Sequence, residues 1–357
     1  MKKIAYVIIV FMLVILASCR APIPETDIKT IYSFTNADSL PGSIQITPDG
    51  HFVYLITDYP GNYYKLSVGN SYDDINVVYD AGNNIIKNYS SNSQIIAWFE
   101  YSDSNYSFKY YNIISKEITE IRTGVSSDEL WQLGQISVYN QYIYYVLFDY
   151  NNNIAAIYKY NTTQKNEETV ITQDNFINSE YSNGLQYSAL NLHQGVLSIS
   201  RFNNDNPMSL LVYSIDENTQ NEYAMPDQVA LIYASAFDRK TYTISVYYYD
   251  KNKEKDCIGV YSLKDNSFKI IAAFNENNYA YNDCLLTSNG NLLYVLQNNV
   301  SGTIVDHYNG IKINIEDGTI EEANYCFSLG VSQDSIHTLS FDKIAGVYDK
   351  INYGIWE

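Results

Sequence analysis

Nucleophilic hydrolysis needs an exposed serine or cysteine, a base beside it and an oxyanion site, and no Gly-x-Ser-x-Gly elbow occurs in this chain. The four histidines, His51, His193, His307 and His337, are scattered with no i, i+4 pair, so neither a catalytic zinc nor any other metal or cofactor is expected. His337 stands inside an apolar run and reads as a packed histidine. With 40 Asp and Glu residues, some close carboxylate pair is inevitable and identifies nothing, although a glycosidase would need such a pair from separate segments. The Asn- and Asp-rich stretch 149–153 lacks the spacing of a calcium loop and reads as a solvated turn. No catalytic residues are therefore assigned. Aromatic residues are the remaining candidates: Trp131, Tyr187, Tyr233 and Tyr281 recur at comparable places and could stack on a sugar or clamp a peptide.

The elements that must hold such residues are strands. Hydrophobic residues make up 46% of the 357-residue chain and charged ones 17%, with 37 Tyr and 13 Phe, which excludes a disordered chain. Tyr, Ile, Val and Thr favour strands, while Asn, Asp and Ser favour turns, so an all-β fold is expected. The net charge of −18 repels phosphate backbones and anionic headgroups, which argues against nucleic acid as a partner and against adhesion to a lipid surface without a covalent anchor.

A unit of roughly 45 residues recurs through the chain. Each has a near-continuous apolar strand, an alternating Tyr-rich strand and a shorter third, separated by polar turns. The apolar strands are 52–56, 95–99, 142–148, 196–200, 242–247, 292–296 and 336–341. Such continuous hydrophobicity means burial on both faces, as for the second strand of a propeller blade. Seven repeats predict a seven-bladed β-propeller of four-stranded antiparallel blades, with counts of six or eight still open. The segment 28–35 looks like 268–275, an outer fourth strand, and the last unit has room for only three strands. The N-terminal strand is therefore expected to complete the final blade and close the ring. Thr47-Pro48-Asp49-Gly50-His51-Phe52-Val53-Tyr54 resembles the opening of blades in bacterial propellers of the YVTN and TolB type, which implies the same architecture.

At the start of the chain, Lys2 and Lys3 precede an unbroken apolar run from Ile4 to Ala17. That run is shorter than the ~20 residues a membrane-spanning helix needs and suits a signal peptide. Leu16-Ala17-Ser18-Cys19 resembles a bacterial lipobox, which implies cleavage before Cys19, acylation of its thiol and a lipid anchor as the only membrane contact. The chain thus divides into a signal peptide (1–18), the lipidated Cys19 with a tether (19–27) and a propeller domain (28–357). The tether carries Pro22 and Pro24, and at ~3.5 Å per residue it reaches roughly 28 Å at most. Because it leads into a fourth strand, it leaves from the face opposite the fourth-to-first and second-to-third connections, so those loops are expected to face away from the membrane. Cys257, Cys284 and Cys326 are an odd set, which leaves open one Cys284–Cys326 disulfide or three buried thiols. The leading expectation is an extracytoplasmic, membrane-anchored lipoprotein that binds a protein or glycan without catalysis. An extracytoplasmic propeller glycosidase or lyase, and an envelope assembly or scaffold lipoprotein, are the alternatives.

Overall fold

The second strands carry the fold, because they present apolar side chains to both neighbours. In the strand Ile95–Tyr101 every residue is buried. The computed structural model describes residues 28–356 apart from 36–39, 58–62, 103–104, 126–134, 150–153, 173–189, 194, 204–205, 239, 275–284, 290, 302–303, 325, 333–334 and 342–349. The signal peptide, Cys19 and the tether therefore lie outside the described residues.

The strands form seven four-stranded antiparallel blades, covering 41–80, 85–125, 136–172, 190–224, 229–273, 285–324 and 326–356, the last completed by Lys29–Phe34. A single strand bridge, Tyr63 to Ile86, links the sheets of blades 1 and 2. All seven apolar runs identified in the sequence are second strands, extended by a few residues at one end in most blades. The hydrophobic core is divided among the seams: Ile95, Phe99, Phe108, Tyr145 and Tyr160 pack between blades 2 and 3, and Val53, Leu55, Ile86 and Trp98 between blades 1 and 2.

Hairpin chemistry repeats from blade to blade. In blades 2, 3 and 6 the third strand ends on an asparagine, Asn112, Asn161 or Asn314, whose side-chain oxygen accepts the backbone N–H two residues on, joined at Asn112 and Asn161 by the one three residues on. In blades 2 to 6 the residue that closes the third-to-fourth turn is left-handed, with φ of 58° at Lys116, 53° at Lys165, 51° at Asn218, 52° at Asn266 and 73° at Gly318. This is the geometry of a type I turn followed by a left-handed residue. Two of the five closing positions are lysines, which explains why turn composition alone marks only some blades.

The ring closes as the sequence predicts. Lys29–Phe34 lies antiparallel to Ile351–Trp356, with Lys29 opposite Ile355 and Phe34 opposite Ile351. Ser33 donates a hydrogen bond to the Asn352 side chain at 2.8 Å, and Phe34 enters the core between blades 7 and 1 beside Tyr54. Gly354 permits this approach, since a Cβ there would come within 2.9 Å of the Lys29 carbonyl oxygen.

His337 is buried in blade 7, its Nδ1 2.7 Å from the Tyr353 hydroxyl and its Nε2 3.2 Å from the Ser332 hydroxyl. Burial pushes its pKa down to about 4 from an ordinary 6.5. The folded protein thus holds a neutral imidazole where the unfolded chain takes up a proton, and stability falls as pH drops from about 6.5 to about 4, by about 3 kcal/mol in all. Urea melts at pH 7.5, 6, 5 and 4.5 should show this loss, and His337→Gln should flatten it within that window.

Cys257 and Cys326 are free, buried thiols. Cys326 therefore takes part in no disulfide, and burial pushes its thiol up to about 12. Cys284 lies outside the described residues.

Candidate functional site

A pocket of about 510 Å³ opens at the seam of blades 1 and 2, on the face that carries the fourth-to-first and second-to-third connections. Its lining includes Asn84 from the connection between the two blades, Ser102 and Asn105 at the ends of a second-to-third turn, and Glu100, Ser107, Lys109 and Thr123 from the strands behind them. Strand register explains why these residues share one wall. Glu100 pairs with Ser107 and Ser107 with Thr123, so the three stand abreast on adjacent strands, and Asn105 and Lys109 flank Ser107 at the same-face spacing of two. The Tyr106 ring crosses the main chain at Gly124, where no side chain intervenes.

The floor is a charged network. Glu100 is 2% exposed. Its Oε1 accepts a bond from the Asn84 amide at 2.6 Å, and its Oε2 accepts bonds from the Tyr79 hydroxyl at 2.5 Å and the Lys109 ammonium at 2.8 Å. Lys109 also donates to the Tyr79 oxygen at 2.8 Å. Burial pushes the Glu100 carboxyl up, but the three hydrogen bonds and the Lys109 charge outweigh it and hold the group below its ordinary range. Burial opposes the charge on Lys109 too, yet the bonds to Glu100 and Tyr79 raise its pKa. Tyr79 is raised by burial first and by its bond to Glu100 second. At neutral pH the trio is a carboxylate, an ammonium and a phenol, each locked in that form.

Comparison between blades shows what sets this wall apart. By strand register the line across blade 3 that matches Glu100, Ser107 and Thr123 is Leu147, Ala156 and Thr172, whereas in blade 4 it is Arg201, Ser209 and Ala224 and in blade 6 Gln297, Asn309 and Asn324. Cation–carboxylate contacts do occur at other seams, as between Lys312 and Glu321 at 2.7 Å, but there the carboxylate is 40% exposed. Polar lines at this level are thus shared with blades 4 and 6; what blade 2 adds is a 2% exposed carboxylate paired with an ammonium at the floor of an open pocket, at a cost in desolvation. The nearest sequence signal is Glu100 itself, a carboxylate directly after the apolar run 95–99.

Of the aromatic candidates named from the sequence, Trp131, Tyr187 and Tyr281 lie outside the described residues. Tyr233 is 2% exposed in the core between blades 5 and 6. It packs on Tyr247 at 5.3 Å between ring centroids, and both tyrosines hydrogen-bond Asp256, a buried carboxylate that burial pushes above its ordinary pKa. Nothing in the described structure brings Tyr233 to the blade 1–2 pocket. No group of three or more His, Cys, Asp or Glu able to hold a metal occurs among the described residues.

No protein-family model matches the chain, and comparison with curated proteins finds no match. Solved structures do resemble it. An oligogalacturonate lyase in complex with manganese aligns at a TM-score of 0.57 and 9% identity, over 95% of this chain and 99% of that one. The oligogalacturonate lyase of Vibrio parahaemolyticus aligns at 0.55 and 10%, over 93% and 99%. TolB from Acinetobacter baumannii aligns at 0.49 and 10%, over 79% and 68%. At identities this low the lyase likeness shows the propeller fold and no shared chemistry.

Proposed function

We propose that this protein is an envelope lipoprotein, anchored through Cys19, that works as a non-catalytic binding propeller and holds a protein or glycan ligand at the seam of blades 1 and 2. The observation that carries the reading is an open pocket of about 510 Å³ whose floor is the buried Glu100 carboxylate, held by Lys109, Tyr79 and Asn84. Burying a charge at the floor of a solvent-open pocket costs desolvation, and such costs concentrate at functional sites. The fourth-strand position of Lys29–Phe34 supports a tether leaving from the opposite face, so that the pocket turns outward.

The same geometry weighs against catalysis in this pocket. A glycosidase needs two carboxylates about 5–10 Å apart, and the pocket lining supplies one, Glu100. A lyase needs a base, and both Lys109 and Tyr79 are shifted towards their protonated forms. The likeness to the lyases keeps an extracytoplasmic lyase as the second reading.

The test is capture from envelope glycans and proteins by the immobilised wild type and by Thr123→Trp, which fills the pocket from an exposed position on its wall. The expected result is a ligand retained by the wild type, lost by the variant and recovered unchanged. Release of cleaved products, or equal capture by both proteins, would overturn the proposal.

A further inference from the structure

Resting on the reading of this seam as a ligand site, we infer that its ligand is an uncharged, polyhydroxylated molecule, a short neutral oligosaccharide rather than a uronate chain or a cationic peptide. Charge selects first. The floor holds one carboxylate and one ammonium 2.8 Å apart, which cancel, so the pocket offers no net charge for an ionic ligand to neutralise. A ligand carboxylate would approach Glu100 from inside a protein of net charge −18, and that field opposes polyanions. A ligand ammonium would compete with Lys109 for a carboxylate already bonded by three donors.

Hydrogen-bond capacity selects second. Lys109 has three N–H donors and uses one each on Glu100 and Tyr79, leaving one for a ligand. Glu100 Oε1 accepts a bond from Asn84 and keeps lone-pair capacity. Around them stand the hydroxyls of Ser107 and Thr123 and the side-chain amide of Asn105, groups that both donate and accept, while the Ser102 hydroxyl is engaged with the Asn105 main chain. Sugar hydroxyls have the same dual character and satisfy both roles at once. The volume falls within the ~300–1,000 Å³ of small-molecule sites.

The experiment is calorimetric titration of the purified mature chain with maltotriose and chitotriose as neutral probes and trigalacturonate as the acidic one, in low salt and in 0.5 M salt. At least one neutral probe is expected to bind at least about tenfold more tightly than trigalacturonate in low salt, with the gap narrowing in high salt as the field is screened. Asn105→Ala, at an exposed strand end, should weaken that probe about fivefold through one lost hydrogen bond, and Thr123→Trp should abolish binding. Tighter binding of trigalacturonate overturns the inference, as does binding of every probe unaffected by both variants. If no saccharide binds while Thr123→Trp still abolishes capture from envelope material, the ligand class assigned here is wrong and the binding role stands. Loss of both results refutes the two together.

Discussion

Deleting residues 28–35 from the mature chain is expected to lower its melting temperature by about 10 °C or more, or to leave it insoluble. The strand Lys29–Phe34 is the outer member of the last blade, and its removal exposes the whole edge of Ile351–Trp356, an open edge of the kind that invites aggregation. It also withdraws Phe34 from the core between blades 7 and 1, and losing a buried Phe side chain costs about 3–5 kcal/mol by itself. That loss is large beside a total stability of about 5–15 kcal/mol; for a chain this size each kcal/mol moves the midpoint by roughly 1.5 °C, so the loss of Phe34 and of the strand's pairing together produce the expected shift. Gly354→Val tests the same closure without shortening the chain, because the added side chain meets Ile28 and the Lys29 carbonyl; its effect should be in the same direction and smaller. A synthetic peptide covering 28–35, added in trans, should recover part of the lost stability. A truncated chain that melts like the intact one would show that the ring is closed in another way.

The second large effect belongs to the pocket floor. Lys109→Met removes the cation from a carboxylate that is 2% exposed, and breaking a buried ion pair from one side costs about 3–5 kcal/mol because the remaining charge is stranded. Glu100→Leu should cost less, since Lys109 is 16% exposed and its flexible stem can carry the ammonium towards water. Replacing all three groups together, as Tyr79→Phe, Glu100→Leu and Lys109→Met, should restore stability to the wild-type level or above it, because apolar side chains of similar volume in place of a buried ion pair remove its desolvation cost. Urea denaturation of the single, double and triple variants measures these couplings directly.

Much of the architecture was legible in the sequence. Fully apolar second strands require cover on both faces, and seven of them at regular spacing leave few architectures open, so the blades and their order follow from composition and period. Closure was also legible, because 28–35 has the character of an outer strand that the C-terminal unit lacks. The pocket was not. Tyr79, Glu100 and Lys109 are separated by 21 and 9 positions and lie on strands of two different blades, so their meeting depends on the register of both blades and on the twist between them. A lone lysine in an alternating strand reads as a solvated charge, and only packing shows that Lys109 is turned inward to meet Glu100. Tyr233 shows the converse error of scale: its position near a blade opening suggested a channel aromatic, while its side chain fills the core against Tyr247 and Asp256.

The central claim is that the seam of blades 1 and 2 gives up packing energy in order to hold a ligand, and one variant separates the two sides of that statement. The measurement is stability and ligand capture of the triple variant Tyr79→Phe, Glu100→Leu, Lys109→Met in the same preparation. The account predicts a protein at least as stable as the wild type that no longer retains the ligand. A triple variant that is several kcal/mol less stable yet binds as before would contradict it, and would make the charged floor a structural clamp between two blades.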